Sequence, residues 1–195
     1  MKVRKSLKRA AWRAVPPGHP HPLHGWLTSR GSLTARIIGR CRGAARAFRL
    51  TRLVQHYRAG NLDELRELDL RFKEKVLVRE VVLWSGKTPL VFAHSLAARR
   101  DLDGTWRALK GLGTRPLAAM LFADARVARQ ELEFKRIDRR HPLYRRAREV
   151  MREIGTDPAT AWPRSLWARR SVFLLRGRPL LVTEVFLPGI GELPK

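Results

Sequence analysis

The chain has 195 residues, 44% of them hydrophobic, and no apolar run near the roughly 20 residues that a bilayer-spanning helix needs, so it reads as one globular domain with or without a tail. A lone cysteine, Cys41, excludes an internal disulfide, no Cys/His spacing suits zinc, and this usage fits a reducing cytoplasm. Basic residues outnumber acidic ones 41 to 17, a formal charge of +24, and no acidic residue precedes Asp63. Such a field attracts nucleic acid, anionic lipid or a small polyanion, but the arginines are scattered and no nucleic-acid recognition motif is present.

Met1 to Arg13 is a basic stretch without the apolar centre of a secretion signal, and the run Val15-Pro16-Pro17-Gly18-His19-Pro20-His21-Pro22 ends any helix there. Residues 1–24 are therefore expected to form a flexible tail and residues 25–191 the folded domain. His19, His21 and His24 cluster like metal ligands, but a proline-rich flexible segment is a poor frame for fixed coordination, and no metal site is expected. Ser32 then caps a short helix with apolar positions at Leu33, Ile37 and Ile38.

Phe48 to Tyr57 alternates partly and is expected as a strand. Lys75 to Leu83 and Pro89 to His94 flank a turn holding Gly86, the clearest hairpin in the chain. Leu102 to Leu112 reads as a helix stopped by Gly113, and Pro116 to Phe122 as a second, with proline near its start. Ala128 to Ile137 is expected as one strand and Arg139 to Gly155 as a polar, solvated helix. Leu166 to Leu175 and Arg178 to Leu187 make a second hairpin turning at Arg176-Gly177. Hairpins with helices grouped between them predict an α+β single domain, an antiparallel sheet of about six strands with helices packed on it.

The last strand holds one carboxylate, Glu184, in the apolar run Leu180-Leu181-Val182-Thr183-Glu184-Val185-Phe186-Leu187. An ionised carboxylate buried on a strand costs several kcal/mol unless it is paired or its pKa rises. Such a residue serves a structural ion pair or proton chemistry, although a lone strand glutamate most often faces solvent. Arg79-Glu80 repeats the pattern on another apolar strand.

Four segments in this order resemble the chorismate pyruvate-lyase (chorismate lyase) family: Trp26-Leu27 with Ser32-Leu33-Thr34-Ala35-Arg36; Val78-Arg79-Glu80-Val81-Val82-Leu83; Leu112-Gly113-Thr114-Arg115-Pro116-Leu117 with Leu121-Phe122; and Arg169-Arg170-Ser171 through Thr183-Glu184 to Pro188. The resemblance covers roughly residues 26–190. It implies Arg79 as a substrate-binding arginine, Glu184 as the catalytic glutamate, and contacts at Leu33 and Leu117. Physically, a guanidinium fork suits a carboxylate, and Leu33 and Leu117 lie at helix starts, where free N–H groups favour an anion. Both leucines are equally ordinary core residues.

At the position where the family commonly has a further anion-binding arginine, this chain places His94, with Arg99 and Arg100 nearby as substitutes. Arg126, Arg129, Arg169 and Arg170 could add to an electropositive funnel. The resemblance implies a cytoplasmic, monomeric lyase that converts chorismate to 4-hydroxybenzoate and pyruvate without a cofactor, the first committed step of ubiquinone synthesis. A related fold serves as the sensor domain of bacterial transcription regulators, so the alternative is aromatic-acid binding without turnover. Residues 1–62 are too broken by proline and glycine to supply the winged helix those regulators carry.

Overall fold

Two long hairpins form the centre of the molecule in the computed structural model, which describes residues 12–16, 21–41, 47–156 and 162–193. The first joins β2 (Lys75–Ser85) to β3 (Thr88–Ala98), and the second joins β6 (Ser165–Leu175) to β7 (Arg178–Phe186). Gly86 supplies a positive φ in the first turn, and Arg176 and Gly177 both do so in the second, the geometry that matches strand twist in a two-residue turn. β3 pairs with β7, so the hairpins fuse into one antiparallel sheet. β1 (Phe48–Ala59) extends it beyond β2, and β4 (Ala128–Arg129) and β5 (Glu133–Asp138) both pair with β6. The sheet has seven strands, in the order β1-β2-β3-β7-β6-β4 with β5 also on β6. The single strand expected over 128–137 is divided, because Gln130 leaves the ladder to donate to Val172 O and to accept from Ser171 Oγ.

Among the described residues five helices cover the sheet: α1 (His24–Thr28), α2 (Leu33–Arg40), α3 (Leu62–Glu67), α4 (Leu117–Ala123) and α5 (Pro142–Glu153). Ser32 caps α2 as expected, its Oγ accepting from Ala35 N at 3.1 Å. α3 was not anticipated, although Asn61 and Glu64 form a capping box at its start. The helix expected over 102–112 is instead a string of turns with 3₁₀ segments at Arg99–Asp101 and Arg107–Leu109. Gly104, Gly111 and Gly113 favour turns there, and Trp106, fully buried, pins the segment to the sheet by donating Nε1 to Arg178 O.

The segment 139–155 is not a solvated helix. α5 buries Leu143, Tyr144, Ala147, Val150 and Met151 against Val82, Phe92, Ala168 and Val185, and exposes Arg145, Arg148 and Arg152. The expected tail is also shorter than residue 24. Residues 1–11 lie outside the described region, but Arg13 exchanges backbone hydrogen bonds with Phe134 at 3.1 and 2.7 Å, and the Arg170 guanidinium stacks over Trp12. His21 accepts from Trp167 Nε1 at 2.9 Å, so it packs as part of the domain; His19 lies outside the described residues.

Period-two alternation assigns each sheet face its own clusters. One face carries α1 and α2 over Val81, Leu83 and Phe186, and α4 with the 3₁₀ segment over Leu77, Ala97 and Leu180. The other carries α5 over Val82, Phe92 and Val185, and Leu68, just after α3, over Val78, Leu96 and Leu181. Between its two apolar clusters each face has a polar centre. A C-terminal 3₁₀ turn, Pro188–Glu192, closes the end of β3. A Cβ at Gly189 would lie 2.7 Å from Pro89 O and 2.4 Å from Thr88 Cγ2. Gly189→Ala should therefore lower the unfolding free energy by about 1–3 kcal/mol, read as a shifted denaturant midpoint at unchanged slope.

Candidate active site

The polar centre of the α1/α2/α4 face is a partly open cavity, about 580 Å³ of unfilled space when the solvent at its mouth is counted. Its floor is four strands wide: Arg79 and Val81 of β2, Ala93 and Ser95 of β3, Val182 and Glu184 of β7, and Arg169 and Phe173 of β6. The register places them on one face, since Arg79 pairs with Ser95, Ser95 with Val182, Ala93 with Glu184, and Glu184 with Arg169. Leu33 at the first turn of α2 and Leu117 at the first turn of α4 close it from above, with Arg129 of β4 at the side. Arg79, Glu184, Leu33 and Leu117, expected to share a site, thus line one cavity.

Arg79 is 1% exposed and donates Nη2 to Gly113 O at 3.1 Å and Arg115 O at 3.0 Å, carbonyls of the loop leading into α4. Burial, with Arg52 nearby, lowers its guanidinium to about 10, so it stays cationic at neutral pH. Its Nε has no partner among the described residues. A buried, unpaired donor costs on the order of 1–3 kcal/mol, a cost that a bound anion offsets.

Glu184, its side chain 15% exposed, is held by charge: Arg169 Nε donates to its Oε2 at 2.5 Å. Arg169 is fully buried and directs Nη1 at Trp26 O, Leu27 O and Ser29 O, at 3.0, 3.0 and 2.8 Å. It thereby satisfies carbonyls at the end of α1. Arg169 Nη2 and Arg129 Nε are further buried nitrogens without a partner among the described residues. Three guanidinium groups against one carboxylate leave the lining with two positive charges. Arg169 as the partner of Glu184 was not foreseen; its signal was the charged pair Arg169-Arg170 inside an apolar strand.

His94 does not join them. The turn pairs Ser85 with Thr88 and Trp84 with Pro89, a register that would carry Arg79 opposite His94. A bulge between Leu83 and Trp84 adds one residue, so Arg79 meets Ser95 and Glu80 meets His94. One residue of slip turns a side chain to the other face. Arg99 and Arg100 follow β3 and are exposed, and Arg100 pairs with Glu74. Arg126 is exposed and pairs with Asp124, and Arg170 lies on the His94 face, bound to Glu67 and Glu133.

On that face His94 is 2% exposed, with Nδ1 3.1 Å from Glu80 Oε1 and Nε2 3.2 Å from Glu64 Oε1. Both ring nitrogens face carboxylate oxygens, which can only accept, so the fitting species is the imidazolium. Arg58 donates to Glu64 at 2.9 Å and its Nη2 also lies 3.2 Å from His94 Nε2; Arg146 of α5 donates to Glu80 at 2.9 Å. Burial opposes the imidazolium, but hydrogen bonds from the ring to Glu64 and Glu80 outweigh it and raise the His94 pKa. Burial likewise works to raise Glu64, yet His94 and Arg58 hold it at about 2.

A raised histidine pKa gives stability that is complete below the unfolded value of 6.5 and lost as pH climbs through the folded one. The stability gap between the protein and His94→Gln should therefore be widest below the unfolded value of 6.5 and narrow as the pH rises above it. Denaturant titrations at several pH values check this; a gap independent of pH contradicts it. The Glu64 contribution runs the other way, lost as pH falls from 4.5 toward about 2.

Among the described residues no group of three or more histidine, cysteine, aspartate or glutamate side chains is placed to hold a metal ion, and no helix is long and apolar enough to cross a membrane. A family model described as chorismate lyase matches residues 7–192. Proteins named "Probable chorismate pyruvate-lyase" are 42% identical over 193 residues in Nitrosomonas europaea, covering 99% of this chain and 100% of the relative, and 44% identical over 198 residues in Aromatoleum aromaticum, covering all of both. Among solved structures, a GntR-family transcriptional regulator from Bacillus cereus superposes with a TM-score of 0.52 at 12% identity, over 76% of this chain and 96% of that one. The effector domain of PhnF from Mycobacterium smegmatis gives 0.50 at 12% identity, over 82% and 90%. At such identity these two share the fold alone.

Proposed function

The chain belongs to the chorismate lyase family, and on that premise we propose that it converts chorismate to 4-hydroxybenzoate and pyruvate. The observation that carries the reading is one cavity with Arg79 on one strand and the Arg169–Glu184 pair two and three strands away, its lining two charges positive. Chorismate is a dicarboxylate, so its charge complements that lining. In the reaction the bond from the ring to the enolpyruvyl oxygen breaks and its electron pair leaves with that oxygen. A proton is lost from the hydroxyl-bearing ring carbon, whose electrons complete the aromatic ring. One proton thus passes, in net terms, from the ring to the departing enolpyruvate, which becomes pyruvate.

Aromatisation drives this step, so the protein's work is orientation and proton transfer. Arg79 would hold the ring carboxylate, its loop contacts to Gly113 and Arg115 fixing the fork beneath α4. Glu184 would meet the hydroxyl end of the ring. Arg169, by holding Glu184 Oε2, sets the direction from which that carboxylate approaches. Leu33, Leu117, Leu121 and Phe173 would pack the ring faces and exclude water. The same reading places the chain in the cytoplasm at the first committed step of ubiquinone synthesis.

Purified protein incubated with chorismate should release 4-hydroxybenzoate and pyruvate in equal amounts. Binding of the aromatic acid with no product would overturn the lyase reading and favour a sensor, a role suggested by the regulator-like fold. Arg79→Ala should weaken chorismate binding by roughly 2–5 kcal/mol, the cost of truncating a buried charge partner. Glu184→Gln, which keeps an oxygen for Arg169 but removes its counter-charge, should remove most turnover and lower the unfolding midpoint while the folded-state spectrum is retained; wild-type rates in both variants would refute the assignment.

A further inference from the structure

We infer that Arg129 binds the second carboxylate of the substrate, the one on the enolpyruvyl group, and so is the residue by which the site selects the dicarboxylate over its monocarboxylate product. This rests on the lyase reading and extends it to a residue outside the four motifs that carried the resemblance.

Three arginines line the cavity, and two have other work. Arg169 commits Nε to Glu184 and Nη1 to three carbonyls of the α1 end, leaving only Nη2. Arg79 stands on β2 under the α4 loop. Arg129 enters from β4, on the far side of β3, β7 and β6. Four strand spacings separate the two backbones, roughly 19 Å of sheet at about 4.8 Å per strand. Two long side chains reaching inward from those sides bracket a ring that carries an anion at each end.

The chemistry of Arg129 agrees. Its Nε is buried without a partner among the described residues, while Nη1 donates to Arg30 O at 2.6 Å and also lies 3.4 Å from Gly31 O. The guanidinium lies over the Phe122 and Phe173 rings, 5.8 and 5.2 Å from their centroids, which fixes its plane beside the cavity. Burial and the nearby Arg169 lower its pKa, and Glu184 opposes them. A cation in that setting lacks a full counter-charge, since Glu184 is already engaged by Arg169. The position that sequence counting offered for a second anion-binding group, His94, is on the opposite face, so the task passes to Arg129.

A purely structural Arg129, one that only ties down the Arg30–Gly31 loop, would affect every ligand alike. The two roles separate by comparing affinities for chorismate and 4-hydroxybenzoate in the slow Glu184→Gln background, measured by calorimetry with and without Arg129→Gln. The expected result is a loss of about tenfold to a hundredfold for chorismate, the range for a hydrogen bond to a charged group. Affinity for 4-hydroxybenzoate should change by less than about threefold, because that acid lacks the group Arg129 holds. Arg129→Lys keeps the charge without the fork and should recover part of the chorismate affinity; it also serves if the glutamine variant does not fold. Equal losses for both acids, or no loss for either, overturns the inference. These affinities are read whether or not the wild-type protein turns over, so failure of the lyase reading shows separately, as absent product.

Discussion

The site depends on the contact between Arg169 and Glu184. Arg169 is fully buried, and a buried cation is tolerable only when its charge and its N–H groups are matched. Glu184 supplies the charge, and the carbonyls of Trp26, Leu27 and Ser29 supply most of the remaining acceptors. Breaking such a pair from one side costs about 3–5 kcal/mol, a large part of a domain's net stability. The same guanidinium therefore fixes three things together: the orientation of the carboxylate, the end of α1, and the start of the loop that delivers Leu33 to the cavity roof.

The sheet extends this logic across both faces. Apolar clusters occupy its two ends on each side, and charge is gathered between them: an under-neutralised cavity on one face, a closed chain from Arg58 through Glu64, His94 and Glu80 to Arg146 on the other. The two centres share strands, so Arg79 and Glu80 are neighbours in sequence and point to opposite sides. Their partners differ in kind. Glu80 and His94 satisfy one another, whereas Arg79, Arg129 and Arg169 each keep a nitrogen without an acceptor among the described residues. Three such donors in one cavity support the ligand site proposed there.

Much of this was legible in the sequence wherever local chemistry decides. Both hairpins, the Ser32 cap and the short helix after Pro116 follow from turn glycines, a capping side chain and apolar spacing. Arg79 and Glu184 stood out as charges on apolar strands. What escaped depends on long-range pairing. The bulge at Leu83/Trp84 reverses the facing of His94, and no residue at that point announces it. The arginine-rich α5 looked solvated because its polar residues outnumber its apolar ones, but the five buried positions lie on one stripe. Arg169 and Arg129 were visible as charged residues near strands, yet their convergence is set by β6 and β4 meeting across the sheet.

The most direct test of the central claim is a crystal structure with 4-hydroxybenzoate bound. The account predicts the ring between α2, α4 and the sheet, its carboxylate on the Arg79 guanidinium and its hydroxyl within hydrogen-bonding distance of Glu184, with Arg169 still holding that side chain. Electron density for the acid in any other depression, with the Arg79–Glu184 cavity unoccupied, would contradict it.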